Sequence, residues 1–474
     1  MAENTNSQSL VVLGAGPGGY TAAFLAADLG MKVTLIGQDV NPGGVCLYRG
    51  CIPSKALLHA ARVLREATEA QAIGITFTKP TIDLDQLRTW KNSVVEKLTS
   101  GLGGLNKRRE ITYVQGTAAF TSCNSLTVDK PDGSKEDIQF DTCILATGSS
   151  PATLPHAPNS EHVWDSTDAL ELKEIPKSLL VVGGGYIGLE LGSVYAQLGS
   201  RVSVVEMLPG LMPGADRDLV SIFTRRSGKL FQNIHLSSKL LSIKEGENGL
   251  IVEIETKSGD VIEETYSKIL VSIGRKPNTQ NIGLENTKVE LDERGFVKAD
   301  NQLRTTDPAI YAIGDVIGGP LLAHKASHEG RVAVENIAGH DVTFDPKAIP
   351  GVVYTDPEIA FTGLTETEAK EKGMNIQVMK FPWAASGRAI TMDYTEGSTK
   401  LIVDPETQKV LGMGMAGLGA GDMITEGTLA IEKGITAKEL AKIIHPHPTL
   451  SETIMESAEM FEGTCTHIYR PKRR

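Results

Sequence analysis

One stretch of this chain occurs twice, and that repeat restricts the fold more than any other feature of the sequence. Residues 10–37 and 179–206 match at a constant offset of 169. Gly14, Gly16 and Gly19 fall on Gly183, Gly185 and Gly188, Leu29-Gly30 falls on Leu198-Gly199, and Val33 falls on Val202. Each copy has the pattern of an apolar strand, a GxGxxG turn, an amphipathic helix and a second strand, Lys32–Ile36 or Arg201–Val205. A lone GxGxxG says little. In a strand–turn–helix setting, and twice in register, it specifies two dinucleotide sites. The glycines serve a tight turn, a close backbone approach to a pyrophosphate, and close packing of helix on strand. The helix N-terminus then faces the negative charge.

The second copy ends in Glu206. An acid at that strand end accepts hydrogen bonds from an adenosine ribose and repels a 2′-phosphate. No Arg follows it in Met207-Leu208-Pro209, so the second site is expected to take NAD rather than NADP. The counterpart of Glu206 in the first copy is Gly37, which leaves the first site without that carboxylate. Asp39 is the expected substitute, because a carboxylate can accept two hydroxyl donors. On this view Gly37→Glu tightens binding at the first site.

The chain has 474 residues, more than one hydrophobic core usually serves, so several domains are expected. After the second copy comes a polar, β-rich stretch over residues 230–275, and from about residue 347 strands alternate with helices. The expected fold class is α/β, with two Rossmann-like dinucleotide-binding domains and a C-terminal α+β dimerisation domain. The expected boundaries are 1–150, 151–275, 276–346 (completing the first site) and 347–474. A hydrophobic content of 41% excludes wholesale disorder. The net charge is −11, and no basic run exceeds the terminal Lys472, Arg473 and Arg474, a poor match to nucleic-acid phosphates. The most apolar stretch, Leu179–Leu198, contains Glu190, Gln197 and five glycines, so no membrane span is expected. The N-terminal MAENTNSQ lacks the pattern of a secretion signal, and a cytoplasmic location is expected.

Five cysteines are too few for a disulfide scaffold in a chain this long. Cys46 and Cys51 stand close together in Gly43-Gly44-Val45-Cys46-Leu47-Tyr48-Arg49-Gly50-Cys51-Ile52-Pro53-Ser54-Lys55. Two cysteines on a helix are often only core residues. Beside a GxGxxG unit, a redox pair is the favoured reading. No second Cys or Cys/His pair is available to complete a zinc site, so no metal is expected. Pro53 sits near the start of a helix with Leu57, Leu58, Ala61 and Leu64 on its apolar face. The dipole of that helix is expected to lower the pKa of Cys51. Cys123, Cys143 and Cys465 are expected to be buried packing residues.

The segment GGVCLYRGCIPSKALLH resembles the disulfide signature of the pyridine nucleotide–disulfide oxidoreductases, and most of all their dihydrolipoamide-oxidising branch. The resemblance covers nearly the whole chain. It implies noncovalent FAD held by Gly14, Gly16, Gly19 and Asp39, by the turn Ala146-Thr147-Gly148-Ser149, and by Asp315 and Ala323. Asp315 would bond the ribityl chain. It implies NAD on Gly183, Gly185, Tyr186, Ile187, Gly188 and Glu206, with Gly274 on the returning strand. Cys46 would be the interchange thiol and Cys51 the sulfur facing the flavin, with Lys55 beside the ring and Glu190 paired to Lys55. His447 and Glu452, in His447-Pro448-Thr449-Leu450-Ser451-Glu452, would be the base and the group that orients it.

The implied reaction reoxidises protein-bound dihydrolipoamide and passes hydride to NAD⁺. Its implied partners are a second copy of the chain and a lipoyl-bearing acyltransferase, or a similar lipoylated protein of a 2-oxo acid dehydrogenase or glycine cleavage complex. Sister reductases fit less well. A mercuric-reductase-like chain adds a C-terminal cysteine pair, where only Cys465 stands here. A glutathione-reductase-like chain typically has CVPKK in place of Cys51-Ile52-Pro53-Ser54-Lys55 and uses NADP. A non-enzymatic FAD-binding subunit has no use for the cysteines, His447 and Glu452 together. Tyr48, where Asn is common, and Gly37, where an acid is expected, depart from the pattern.

Overall fold

The computed structural model of this chain describes residues 9–469. The N-terminal octapeptide and Lys472, Arg473 and Arg474 lie outside the described residues. Ser9–Leu13 is almost wholly apolar and buried, as a strand covered on both faces must be. It is the central strand of a five-stranded parallel sheet, in the order 310–312, 142–145, 9–13, 32–37, 112–115. The helix Pro17–Asp28 turns small residues inward (Gly18, Gly19, Ala22, Ala23 and Ala26), which lets neighbouring backbones approach closely.

The second copy builds the same object. Ser178–Val182 is the centre of another five-stranded parallel sheet, ordered 233–236, 201–206, 178–182, 268–271, 163–164. Leu10 pairs with Val33, and Leu179 pairs with Val202. The repeat seen in sequence is therefore a repeat of strand register. The polar stretch after the second copy supplies a three-stranded antiparallel meander, 239–246, 249–255 and 261–266. Residues 276–346 form no sheet of their own. Ile310–Ala312 joins the first sheet beside Thr142–Leu145, and Arg275–Pro277 pairs with Ser149–Pro151.

The C-terminal part is a five-stranded antiparallel sheet ordered 351–353, 358–363, 410–417, 398–403, 377–382. The helices Ala420–Lys433 and Glu452–Glu462 bury their apolar faces against it. The fold class expected from the sequence therefore holds. Element ends shift by a few residues. The helix Glu366–Glu371 starts where it does because Thr365 caps it and Glu368 accepts from the Thr365 N–H.

Lys400 is fully buried in the C-terminal sheet. Its Nζ lies 2.6 Å from Asp216, 2.7 Å from Asp218 and 2.8 Å from Glu366. Asp216 and Asp218 belong to the second dinucleotide unit, so this cluster ties that unit to the C-terminal sheet. Without Lys400, Asp216 stays buried without its cation, while Asp218 and Glu366 keep Lys380 at 2.8 and 2.9 Å; breaking one buried pair typically costs about 3–5 kcal/mol. Lys400→Met is therefore expected to lower stability by that order. Thermal and urea unfolding measure it, and an unchanged melting temperature contradicts it.

Candidate active site

The two glycine cradles have the geometry that the three-glycine pattern requires. Gly14 has φ +113° and Gly183 has φ +105°, a region that side chains rarely adopt. A Cβ on Gly14 would overlap the Ala146 carbonyl oxygen, and one on Gly183 would overlap that of Ser272. Gly19 and Gly188 are pressed against the carbonyls of Gly14 and Gly183 in the same way. Gly16 and Gly185 differ: a Cβ on either would meet nothing within 4 Å. Each is the N-cap of its helix, and neither helix has a side-chain cap. Two helix N-termini thus present backbone N–H groups to open space, which suits a pyrophosphate. Tyr186 and Ile187 open the second helix, and Ile187 is exposed.

Other expected contact residues lie on segments beside one cradle or the other. Asn278 Nδ2 donates to the Thr147 carbonyl at 2.9 Å, and Thr147 Oγ1 donates to the Asn278 carbonyl at 2.8 Å. Ser149 Oγ donates to Asp315 at 2.5 Å, and Arg275 donates to Ser149 Oγ at 2.7 Å. Gly148 and Gly274 have φ of +72° and +120°, and a Cβ on either would enter open space. Ala323 is the first residue of the helix Ala323–Ile337. Glu206 stands at the end of its strand, with its carboxylate accepting from the N–H groups of Gly184 at 2.6 Å and Leu208 at 2.7 Å.

Cys46 lies in the short helix Gly44–Arg49, and Cys51 is the first residue of the helix Cys51–Glu69. Gly44 sits against Gly16, so close that a Cβ would come within 2.6 Å of the Gly16 Cα. The cysteine loop therefore abuts the first cradle. Both cysteines are free thiols, hydrogen-bonded to each other. The bond from Cys46 lowers Cys51 to about 7, and Lys55 acts in the same direction against the effect of burial. Cys46 is raised by that same bond and by burial. The sequence pointed to the helix dipole as the cause. In the folded chain the Cys46 bond and the Lys55 charge act on Cys51 as well.

Lys55 Nζ bonds to Glu190 at 2.8 Å. Burial opposes the Lys55 charge, but Glu190 outweighs it and raises the lysine. Glu190 also accepts from Ser54 Oγ at 3.1 Å and from the Tyr354 N–H at 2.9 Å. The Lys55 ammonium lies 4.4 Å from the centre of the Tyr354 ring, within cation–π range. Ser54 and Tyr354 were not foreseen. No local signal marks them, since Tyr354 lies 164 residues from Glu190 in sequence.

His447 Nδ1 and Glu452 Oε1 are 2.8 Å apart, and Glu452 also accepts from the Thr449 N–H at 2.7 Å. Burial would raise the Glu452 carboxyl, but the Thr449 and His447 bonds hold it below the usual carboxylate range. The His447 side chain is 73% exposed. Within the described residues of one chain, no hydrogen bond or ion pair joins it to Cys46 or Cys51.

The structure corrects two sequence expectations. A side chain at position 37 has no room, because a Cβ would come within 2.6 Å of both Ala15 Cβ and Tyr113 Oη. Gly37→Glu therefore cannot simply restore a ribose contact. Asp39 is engaged by Arg49 through two bonds of 2.7 and 2.9 Å, so it reaches a ligand only with Arg49 attached. The second correction concerns Cys123. Cys143 is buried in the first sheet, but Cys123 is exposed in the turn between Thr117–Ser122 and Ser125–Asp129. Cys465 is partly buried and donates to Glu456 at 2.9 Å.

Residues 8–330 match the family model described as pyridine nucleotide-disulphide oxidoreductase, and residues 349–458 match the dimerisation domain of that family. The chain belongs to the pyridine nucleotide-disulphide oxidoreductases. Relatives in the family include the dihydrolipoyl dehydrogenase of Haemophilus influenzae, 49% identical over 98% of this chain and 97% of that one. That of Bacillus subtilis is 46% identical over 97% of each. Among solved structures, LpdA from Mycobacterium tuberculosis superposes with a TM-score of 0.88 at 26% identity, over 96% of this chain and 99% of that one. The HOCl-induced flavoprotein disulfide reductase RclA from Escherichia coli superposes with a TM-score of 0.85 at 29% identity, over 95% and 99%. Such enzymes work with FAD and NAD, which accords with the two cradles. Among the described residues, no helix is long and apolar enough to cross a membrane.

With Cys51 near 7, its thiolate forms as pH rises through neutrality. In the reduced chain the ultraviolet thiolate absorbance is expected to titrate with a midpoint near pH 7. Lys55→Met is expected to move that midpoint upward, because the ammonium favours the anion. A midpoint unmoved by Lys55→Met contradicts the electrostatic role of Lys55.

Proposed function

We propose that this chain oxidises protein-bound dihydrolipoamide with NAD⁺, the activity for which its relatives at 44–49% identity are named. Residues 1–150 and 276–346 hold FAD, residues 151–275 hold NAD, and residues 347–474 pair two chains. The observation that carries the reading is a thiol pair packed against the first cradle, with the Glu190-anchored Lys55 one helical turn from Cys51.

In the oxidised enzyme Cys46 and Cys51 form a disulfide. A substrate thiolate attacks the Cys46 sulfur and expels Cys51, which leaves as a thiolate. The family resemblance makes Cys46 the interchange sulfur, and the Lys55 ammonium beside Cys51 favours departure of Cys51 as the thiolate. The second substrate thiol then displaces Cys46 and closes the substrate disulfide. Substrate thiols near pKa 8.5 are only a few per cent ionised at neutral pH. A base is therefore needed, at a typical gain of about 10²–10⁴ in rate. His447 takes the proton, and Glu452 orients it and stabilises the imidazolium. FAD, held on the first cradle beside Cys51, would supply the two-electron transfer between the thiol pair and NAD⁺. Lys55, anchored by Glu190, places positive charge beside Cys51. Glu206 at the strand end selects NAD over NADP.

An exposed His447 with no link to the cysteines of its own chain supports a paired arrangement, in which it serves the disulfide of a second copy. The lipoylated partner is a component of a 2-oxo acid dehydrogenase or glycine cleavage complex. A reducing cytoplasm, where two close cysteines cycle rather than staple, is the implied compartment.

Free dihydrolipoamide with NAD⁺ tests the substrate. Rapid NADH formation is expected, and turnover only with another disulfide substrate would sink the assignment. Mixed dimers of inactive Cys46→Ser and inactive His447→Gln chains are expected to recover activity, since one site in each is intact. No recovery in verified hybrids means that His447 acts within its own chain.

A further inference from the structure

The turn carrying Asp315 has little shape of its own. It runs from Gly314 to Ile317, and Gly314, Gly318 and Gly319 have φ of +77°, +79° and +69°. Glycines in that region leave the unfolded segment many alternatives, so something outside the turn must fix it. Two inward-facing residues of the helix Ala323–Ile337 do so. Glu329 Oε2 accepts from the Gly314 N–H at 2.7 Å, and Lys325 Nζ donates to the Gly318 carbonyl at 3.0 Å. Lys325 and Glu329 pair with each other at 2.5 Å and are 6% and 1% exposed. One buried ion pair therefore grips both ends of the turn.

The same helix packs against the first cradle's helix. A Cβ on Gly330 would come within 2.7 Å of the Gly18 carbonyl oxygen, and Ser327 Oγ donates to the Pro17 carbonyl at 3.2 Å. Phosphate cradle and Asp315 turn are thus set against one frame. Of the Asp315 carboxylate, Oδ2 takes the Ser149 hydroxyl. Its Oδ1 has no hydrogen-bond donor among the described residues and is available to a hydroxyl ligand.

We propose that Lys325 and Glu329 are positioning residues that aim Asp315 at the ribityl hydroxyls of FAD, an inference that rests on the cofactor reading above. A buried ion pair adds little net stability over an apolar pair of similar size, so its contribution here is placement. Burial pushes the Glu329 carboxyl up, and Lys325 opposes this. Losing Lys325 alone therefore weakens the acceptor that holds Gly314. Glu329→Gln combined with Lys325→Met keeps an acceptor for Gly314 and removes both charges together, at the loss of the Gly318 donor.

The test uses the FAD-loaded enzyme and reads the rate of FAD release by flavin fluorescence, together with the visible circular dichroism of bound flavin. Lys325→Met and Glu329→Gln are each expected to speed release about tenfold or more, the scale of one lost hydrogen bond to a charged group, and to alter the dichroism. The double variant is expected to release FAD more slowly than either single variant but faster than the starting enzyme, because neither charge is then left unpaired while the Gly318 carbonyl still lacks its donor. Adding Lys325→Met to Asp315→Ala is expected to speed release little further, because residues acting through one contact are not additive. Should one single variant fail to fold, the other and the double variant decide. Unchanged release and dichroism in a folded single variant overturn the proposal, as does full additivity with Asp315→Ala. A wild-type protein that binds no FAD sinks the cofactor reading, and this inference with it. A yellow wild type with indifferent variants sinks the inference alone.

Discussion

Glu190 is the point on which the arrangement of the site turns. It is 5% exposed, and a carboxylate so placed is costly unless paired and hydrogen-bonded. Its partners come from two other parts of the chain. Ser54 and Lys55 lie on the cysteine helix, and Tyr354 directly follows the edge strand Gly351–Val353 of the C-terminal sheet. Satisfying one buried charge therefore fixes the second dinucleotide unit against the redox helix and against the C-terminal sheet at once. The ammonium beside Cys51 is a product of that joint, and so is part of the reactivity of the thiol.

Apolar packing holds these parts together without setting their angles. One hydrophobic cluster runs from Leu57 and Ala61 on the cysteine helix through Leu189 and Val194 to Val353, Ile359 and Ala416. Such burial is non-directional. Direction comes from charge. Arg65 and Arg226 both pair with Glu69 and Asp356, and their guanidinium carbons lie 5.6 and 5.2 Å from the centre of the Tyr394 ring. Lys400 gathers three carboxylates at another junction. These directional contacts cluster where distant segments meet, which is where a small rotation would separate the cysteines from the cradles.

The electrostatics of the thiol pair follow the same logic. Cys46 lies in one short helix and Cys51 begins the next, and their mutual hydrogen bond splits their acidities in opposite directions. Two chemically equal residues thereby stand in different electrostatic surroundings. The difference comes from Lys55 and from the geometry of the turn, not from residue type.

The sequence by itself determined the features that repeat or lie close along the chain. The two cradles were legible because three glycines at fixed spacing between apolar strands admit few other structures, and the offset of 169 carried the register of both sheets. The Cys46–Cys51 pair was legible from its closeness in sequence beside a cradle, and the His447–Glu452 pair from the resemblance of its segment to the family's C-terminal one. What tertiary structure alone decided are contacts between segments far apart in sequence. Tyr113 closes the space at Gly37, Arg49 occupies Asp39, and Tyr354 completes the shell of Glu190. No local pattern encodes these, since each depends on which backbone packs beside which after the sheets have formed. Periodicity reports how a segment folds on itself, whereas steric room and charge compensation are properties of the neighbours that the whole fold supplies.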